Sequence, residues 1–172
     1  MNKIYFAKAK PEAKIPSKRS EDAGYDIYAC FDEPYIEIMP HETVMIPTGI
    51  VSACDEGYCF VLKERGSTGT KGIAQRCGVI DSGFRGEWFV PITNTTVGKL
   101  IIYNDYDAVV KNYAWYMTKL KTCCFEAIST ERAIAQALLI PVPQTEVVEL
   151  TLDEINSFES ERGVGALGSS QK

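Results

Sequence analysis

Two segments of the chain combine residue types that can bind and cut a phosphorylated ligand. The first, KERGSTGTKGI at 63–73, crowds Arg65, Lys71, three glycines and three hydroxyls into one stretch. Cations, hydroxyls and closely spaced backbone N–H groups are the usual ligands of phosphate oxygens. The order of residues is not that of a P-loop, in which the lysine precedes a serine or threonine at a helix start. A flexible surface loop is the competing interpretation of such a composition.

The second segment, RCGVIDSGFRGEWFVPITN at 76–94, holds a carboxylate between glycines. Gly78 and Gly83 bracket Val79, Ile80 and Asp81, which predicts a tight hairpin whose backbone can approach a ligand closely. The backbone of such a hairpin offers N–H and C=O groups to the edge of a planar base. From the spacing alone, an ordinary hairpin with an aspartate in its turn is an equally good interpretation.

Composition narrows the chemistry further. The chain of 172 residues has a net charge of -5, which argues against nonspecific binding to nucleic acid, although a few gathered arginines still suffice for a small anion. It has one histidine, His41, so catalysis must depend on carboxylates and cations. The six cysteines show neither disulfide nor metal-ligand spacing. They therefore fit a reducing compartment.

The elements that must position these residues are mainly short strands. Length and composition, with 45% hydrophobic and 24% charged residues, indicate one globular domain, and no stretch reads as a secretory signal or a membrane span, so we expect a cytoplasmic protein. The expected strands are KIYFAKA, YDIYACF, YIEIM, TVMIPTGIV, YCFVLK, EWFVPI, KLIIY, AIAQALLIPV and EVVEL. Such a series predicts an all-β sandwich, jelly roll or barrel. Residues 107–124 fit a helix or a strand equally well.

Five segments, taken in order, resemble the five motifs of the trimeric dUTPase family, in a bacterial or phage-like form. They are AGYDIYA at 23–29, the two segments above, AIAQ at 133–136 and RGVGALGSS at 162–170. The resemblance implies a dUTPase-like β-clip, or distorted jelly-roll barrel, that assembles as a homotrimer. It also implies hydrolysis of dUTP to dUMP and pyrophosphate with Mg²⁺.

The resemblance assigns the nucleoside half of the site to the third motif. Asp81 is implied as the catalytic base that activates a water for attack on the α-phosphorus. The backbone of Gly78, Val79 and Ile80 is implied to pair with uracil, and Phe84 stands where the family usually has a tyrosine beneath the deoxyribose. The family's uracil-capping phenylalanine is replaced by Leu167, so an aliphatic cap or an aromatic from elsewhere, Trp88 or Phe89, is expected.

The same resemblance assigns the phosphate half to the other motifs. Asp26 is implied to hold water molecules of the magnesium shell. The implied phosphate ligands are Arg65, Gly66, Ser67, Gln136, Arg162, Gly168, Ser169 and Ser170. In the second motif the family's usual order of arginine, serine and glycine is changed here to Arg65, Gly66 and Ser67.

The domain organisation follows from the same comparison of motifs. Residues 1–160 are expected to form one β domain and 161–172 a flexible tail that carries the fifth motif. Residues 97–120 are expected to be an insertion between the third and fourth motifs. Their aromatic cluster either packs on the barrel, which the size of the domain favours, or faces a partner; it comprises Tyr103, Tyr106, Tyr113, Trp115 and Tyr116.

Two other functions compete with dUTP hydrolysis. One is a regulatory protein that engages another protein through 97–120, with the nucleotide site as its switch. The other is a dCTP deaminase of the same fold, which needs a catalytic glutamate where this chain has Pro91, while Glu87 comes too early in the sequence.

Overall fold

The computed structural model describes residues 3–76, 78–120, 125–160 and 163, with the backbone alone for 115–120. The chain divides into two compact units, Met1–Val142 and Pro143–Lys172. None of the described helices is long and apolar enough to cross a membrane.

The first unit is built almost wholly from strands. Its strands are β1 (Ile4–Lys8), β2 (Gly24–Ile27), β3 (Tyr35–Ile38), β4 (Thr43–Pro47), β5 (Ile50–Cys54), β6 (Tyr58–Lys63), β7 (Ile73–Gln75), β8 (Val79–Asp81), β9 (Phe89–Asn94), β10 (Lys99–Tyr103), β11 (Phe125–Ser129) and β12 (Ala135–Pro141). Two helices accompany them, α1 (Gly66–Gly69) and α2 (Tyr106–Leu120). The expectation of an all-β fold is confirmed.

The strands form four small sheets, in the orders β1-β5, β11-β10-β3, β2-β12-β6-β8 and β4-β9-β7. All of the pairs are antiparallel except β10 with β11. A parallel pair cannot be joined by a tight turn and needs a long crossover, usually helical. The helix α2 lies in that crossover, which settles the open type of residues 107–120 as helix.

The core of the first unit contains a cluster of aromatic rings. Phe60 and Trp88 are fully buried, with ring centroids 5.1 Å apart, and Phe6 lies 5.4 Å from Phe60 and 5.6 Å from Trp88. These side chains come from three different sheets, on strands β1 and β6 and from the residue before β9. Their burial therefore ties the sheet of β6, which carries the candidate site, to the sheets of β1 and β9.

The helix α2 packs on the sheet of β3, β10 and β11. Val109 and Tyr113 are buried against Ile101, and Tyr35 and Phe125 are among the side chains around them. Tyr113 also donates a short hydrogen bond to Glu37. Tyr113 thus follows the packing expected of the aromatic cluster, whereas the side chains of Trp115 and Tyr116 lie outside the described residues. The strand β10 (Lys99–Tyr103), the central strand of its sheet, lies within 97–120, and the assignment of that range as an insertion stays a prediction.

Several strand predictions differ from the structure. TVMIPTGIV is divided into β4 and β5 at Gly49, whose φ of 66° is in the left-handed region. EVVEL, at 146–150, is not a strand, and its Val147 is 94% exposed. A strand requires a partner for its backbone groups, and no strand is described in the second unit. That unit instead has the short helix α3 (Leu152–Asn156), whose start is capped by reciprocal bonds between Thr151 and Glu154.

Candidate active site

A cleft of about 850 Å³ opens at one end of the sheet that contains β2, β12 and β6. Its lining combines three cations and three carboxylates with small polar residues. The lining residues are Ser17, Lys18, Arg19, Glu21, Asp22, Ala23, Gly24, Asp26, Arg65, Gly66, Ser67 and Gln136. A cleft that is charged and polar in this way suits a hydrophilic ligand whose anionic groups can contact the cations individually.

Strand register places the predicted phosphate-binding residues side by side. Asp26 on β2 pairs with Gln136 on β12, and Gln136 pairs in turn with Lys63 on β6. Arg65 lies two residues beyond the end of β6 and so comes close to the same row. Segments that lie far apart in the sequence therefore meet at one end of the sheet, as the five-motif resemblance requires for the first, second and fourth motifs.

Asp26 and Arg65 form an ion pair within the cleft. The Arg65 Nε lies 3.0 Å from the Asp26 Oδ1, and its guanidinium also donates to the carbonyl oxygen of Ala133 at 3.4 Å. Both side chains keep about a third of their exposure. The residue expected near the magnesium shell and the residue expected on phosphate thus lie in direct contact with each other.

Gln136 is held in the cleft by a glycine on the neighbouring strand. Its Nε2 donates to the carbonyl oxygen of Glu64 at 2.8 Å. A Cβ at Gly24 would lie 2.5 Å from the Gln136 Oε1 and 3.0 Å from the Gln136 Cβ. The glycine of AGYDIYA is therefore required so that the glutamine side chain can cross β2. Sequence patterns did not indicate this contact.

The glycine-rich segment after β6 folds into α1, a single helical turn. Thr68 is buried and donates to the carbonyl oxygen of Arg65 at 3.1 Å, and the Thr70 hydroxyl donates to that of Gly66 at 2.7 Å. Lys71 forms an ion pair with Glu126, away from the cleft lining. Of the groups that made this segment a phosphate-site candidate, the structure brings Arg65, Gly66 and Ser67 into the cleft.

The contacts of Glu64 fix the position of the backbone segment to which Gln136 is hydrogen-bonded. Hydrogen bonds from its own backbone N–H and from that of Gln75 lower the pKa of Glu64, and the nearby Lys63 ammonium acts in the same direction. Glu64 is therefore ionised at neutral pH and joins the end of β6 to β7. Glu64 does not line the cleft, but its carbonyl oxygen binds Gln136, which does.

Residues 78–81 do not form the tight hairpin that the glycine spacing predicts. Instead β8 pairs with β6, a strand that comes well before it in the sequence. Gly78 has a φ of 126°, and a Cβ there would lie 2.8 Å from the Cβ of the buried Leu62. The Leu62 N–H donates to the Gly78 carbonyl oxygen at 2.8 Å. A close approach of two strands, and not a two-residue turn, is what requires glycine at this position.

One edge of β8 has no partner strand among the described residues, because β8 is the last strand of its sheet. The Gly78 carbonyl points toward β6, so the N–H of the same peptide, which belongs to Val79, points away from it. Backbone groups alternate in direction along a strand, so the Val79 C=O also faces outward. Its side chain is 65% exposed. Val79 thus presents one donor and one acceptor at a free edge.

A turn follows β8 and carries Asp81 and Phe84. The Phe84 N–H donates to the Asp81 carbonyl oxygen at 3.1 Å, and the exposed Phe84 ring lies over Gly86, where a Cβ would be 2.6 Å from the ring. The Arg85 guanidinium donates to the carbonyl oxygens of Ser82 at 2.6 Å and Phe84 at 2.9 Å. Arg85 therefore braces this turn, a role that the sequence did not suggest.

Within one chain, Asp81 lies far from the cleft. The strands β2 and β8 are separated by three strand spacings of about 4.8 Å, and Asp81 pairs with Cys59, four residues along β6 from Lys63. With a rise of about 3.3 Å per residue, Asp81 and Asp26 are on the order of 20 Å apart. The structure therefore gathers the predicted phosphate ligands and leaves the predicted nucleoside ligands on the opposite edge of the same sheet.

The remaining site predictions divide into those that can be placed and those that cannot. Trp88 is fully buried in the core, so it is not available to cap a base, whereas Phe89 is 38% exposed. The expected tail ligands all lie outside the described residues: Arg162, Leu167, Gly168, Ser169 and Ser170.

Two positions bear on the alternative of dCTP deamination, and both have structural roles. Pro91 is buried in β9 and pairs with Met45 on β4, so it has no acid–base group to offer. Glu87 accepts a hydrogen bond from the Gly49 N–H at 2.8 Å and thereby holds the bend between β4 and β5. Neither position supports dCTP deamination.

Fold and cleft together define an all-β protein with a polar, charged cleft suited to a polyanionic ligand. The family model for dUTPase matches residues 11–111. The deoxyuridine 5'-triphosphate nucleotidohydrolase of Leptospira interrogans is 34% identical over 104 residues, 58% of this chain and 71% of the relative. That of Nautilia profundicola is 29% identical over 174 residues, 99% of each chain.

The solved structure of the Staphylococcus bacteriophage 80alpha dUTPase, a point mutant with dUpNHpp, has the same fold. Its TM-score is 0.74 at 21% identity, with 99% of each chain covered. The chain described here belongs to the dUTPase family.

Proposed function

We propose that this protein hydrolyses dUTP to dUMP and pyrophosphate in a site shared between copies of the chain. The observation that carries the proposal is the separation of the two half-sites. The cleft with Asp26, Arg65 and Gln136 can hold phosphates, and the edge of β8 can hold a base, but the two lie on the order of 20 Å apart in one chain. A complete site needs β8 of one copy beside the cleft of another.

The free edge of β8 supports recognition of uracil. Uracil carries a donor, N3–H, between two carbonyl acceptors, and Val79 offers an outward N–H and C=O at a suitable spacing for such an edge. The exposed ring of Phe84 is a flat surface against which a deoxyribose can pack. A 2′-hydroxyl there would have to be buried against the ring without a hydrogen-bond partner, which disfavours a ribonucleotide.

Asp81 is the proposed catalytic base. Its carboxylate is exposed, and it stands at the end of the edge strand just before the braced turn. Attack on the α-phosphorus requires a water whose proton is removed as the new bond forms, with pyrophosphate as the leaving group. In the assembled site Asp81 would orient that water while Arg65, Ser67 and Gln136 hold the phosphates.

The cleft fits a magnesium ion that arrives with the nucleotide. No three described His, Cys, Asp or Glu side chains converge on a point where they alone could hold a metal ion. Asp26 supplies a single carboxylate, and Mg²⁺ is commonly bound by one or two carboxylates plus substrate phosphates and waters. When bound, the ion would neutralise phosphate charge. Asp26 would hold water molecules of the ion's shell, and Arg65 would contact phosphate.

The proposed assembly is a homotrimer in which the tail also takes part. Arg162 and the Gly168, Ser169 and Ser170 group are proposed to close over the phosphates, with Leu167 near the uracil. Closure of such a segment excludes water from the reacting phosphorus, which strengthens each charged contact there.

Pyrophosphate release from dUTP, dTTP, dCTP and UTP, with and without Mg²⁺, tests the proposal directly. We expect that dUTP is the one nucleotide of the four that is hydrolysed, and that its hydrolysis requires Mg²⁺. Release of ammonia from dCTP would instead support a deaminase, and equal turnover of UTP would refute the role given to Phe84.

A regulatory role through 97–120 is the second candidate. Phage dUTPases, of which the Staphylococcus phage 80alpha dUTPase is one, control transfer of virulence genes. In this chain the outer side of α2 leaves Tyr106 46% and Val110 37% exposed. Replacement of both by Ser, with hydrolysis and partner capture measured on the same protein, separates the two roles, since only capture should be lost.

A further inference from the structure

One wall of the cleft is the loop of residues 17–22, to which neither the motifs nor the family resemblance assigns a function. Its start is joined to the cleft floor, because the Asp26 N–H donates to the Ser17 carbonyl oxygen at 2.9 Å in an antiparallel bridge. Ser17 therefore lies beside the carboxylate expected near the magnesium shell. The next residue along the wall is Lys18.

The shape of this loop is held by an ion pair inside it. The Arg19 guanidinium donates to both carboxylate oxygens of Asp22, at 2.8 and 2.9 Å, and the Asp22 N–H donates to the Arg19 carbonyl oxygen at 3.2 Å. The same hydrogen bonds to Arg19 lower the pKa of Asp22. Arg19 is thus already matched by a carboxylate, and its main contribution is to the loop.

Lys18 differs from the other cations of the cleft in its partners. Its Nζ donates to the carbonyl oxygens of Asp22 at 2.7 Å and Arg19 at 3.4 Å, and lies 5.5 Å from the centre of the Tyr25 ring. All three partners are uncharged groups. Within the described part of the chain, Lys18 has no carboxylate ion pair, whereas Arg19 and Arg65 each have one.

An ammonium group held in this way is suited to an anion. The carbonyl contacts fix its position and so reduce the rotamer entropy that a long side chain loses on binding. Its charge is only partly balanced, since Lys18 attracts the Asp22 carboxylate and so helps to lower the pKa of Asp22, yet that carboxylate is bound by Arg19. A polyphosphate entering the cleft therefore meets Lys18 without first having to break an ion pair. Attraction increases with the charge of the ligand, so a triphosphate gains more than a monophosphate.

We infer that Lys18 is a phosphate-binding residue of the cleft, one that favours the polyphosphate chain of a nucleoside triphosphate over a monophosphate. The nucleotide's identity in this inference rests on the proposed function. The binding of an inorganic polyphosphate in the same cleft does not depend on the proposed function. An experiment with that ligand can therefore test the inference about Lys18 separately from the proposed function.

The test uses the full-length protein with Lys18→Gln, which keeps a donor for the carbonyl contacts and removes the charge. We expect KM for dUTP to rise about fivefold with kcat changed less than twofold, as suits one solvent-exposed charge contact. Affinity for inorganic tripolyphosphate, measured by calorimetry, should fall by a similar factor, and inhibition by dUMP should change less. Lys18→Arg keeps the charge, so its KM for dUTP and its affinity for tripolyphosphate should stay within about twofold of those of the unchanged protein.

Two matched controls separate a contact from a general effect of charge. Lys8 is also exposed, and its Nζ donates only to a backbone carbonyl oxygen, that of Pro11 at 3.1 Å, but it lies outside the cleft. Lys8→Gln should leave KM unchanged. Glu21→Gln removes a negative charge from the same wall, and its effect on KM for dUTP should be smaller than that of Lys18→Gln.

The inference is overturned if Lys18→Gln binds dUTP and tripolyphosphate within twofold of the unchanged protein, or if Lys8→Gln raises KM equally. An equal loss in Lys18→Arg would also overturn it, because the loop's shape would then be the cause. If the unchanged protein does not cleave dUTP but Lys18→Gln still weakens tripolyphosphate binding, the proposed substrate is wrong and the inference about Lys18 stands.

Discussion

Replacement of Gly78 by alanine should damage the fold and the site together, because this glycine, just before β8, lies tightly against Leu62 of β6. The new Cβ would lie 2.8 Å from the Leu62 Cβ and 3.1 Å from the Leu62 carbonyl oxygen, at a φ of 126°. Leu62 is 1% exposed and cannot move aside. Backbone strain costs about 1–3 kcal/mol and overpacking costs a similar amount, so together they should lower the free energy of unfolding by roughly 3 kcal/mol.

A loss of that size should lower Tm by about 6–12 °C in a chain of this length. Relief of the overlap would move β8 outward and displace both Val79 and Asp81, so kcat/KM for dUTP should fall about 100-fold. Thermal melts at equal protein concentration and pyrophosphate release measure the two effects. Concentration is held equal because assembly contributes to stability.

Gly57→Ala is the matched control for this substitution. Nothing lies within 4 Å of a Cβ at Gly57, and its φ is not in the left-handed region. We expect its Tm and rate to stay near those of the unchanged protein, with a small gain in stability through the unfolded chain. If Gly78→Ala melted within about 2 °C of Gly57→Ala, the close approach of β6 and β8 described here would be incorrect.

Three further predictions concern the assembled enzyme. Asp81→Asn should remove nearly all turnover with an unchanged Tm, because the amide keeps the shape of the carboxylate but cannot take the proton; a near-normal rate for dUTP would contradict its role as base. Light scattering should give the mass of a trimer, and a stable, active monomer near 19.1 kDa would rule out a shared site. Removal of residues 161–172 should abolish most pyrophosphate release yet cost about 1 kcal/mol or less, since the tail has few apolar residues to bury; full activity in the truncated protein would show that the tail is only a solvated end.

Much of the fold could be predicted from local patterns. The strands around Phe60, Ile92 and Ile101 have runs of apolar and β-branched residues that are buried on forming a sheet. Those of Phe60 and Ile101 have the predicted bounds, and that of Ile92 is displaced by two residues. Predictions failed where a strand depended on a distant partner. EVVEL has the composition of a strand but no partner in its own unit, and the three residues of β8 form a strand only because β6 lies beside them.

The candidate site shows the same division between local and distant information. The resemblance to five ordered motifs was enough to select Asp26, Arg65, Ser67, Gln136 and Asp81 as a group. It could not indicate that the first four meet at one end of a sheet while Asp81 stands at its far edge. That separation depends on strand order and register, which arise from the packing of the whole unit.

What the sequence by itself determined is therefore the chemical inventory and the class of fold, because residue types, apolar runs and glycine positions are local properties. The tertiary structure alone decided which charges neutralise each other. Arg65 is paired with Asp26 and Arg19 with Asp22, whereas Lys18 is held by carbonyl oxygens and forms no ion pair among the described residues. Ion pairing depends on distances of a few ångströms between side chains, and those distances are set only when strands and loops pack together.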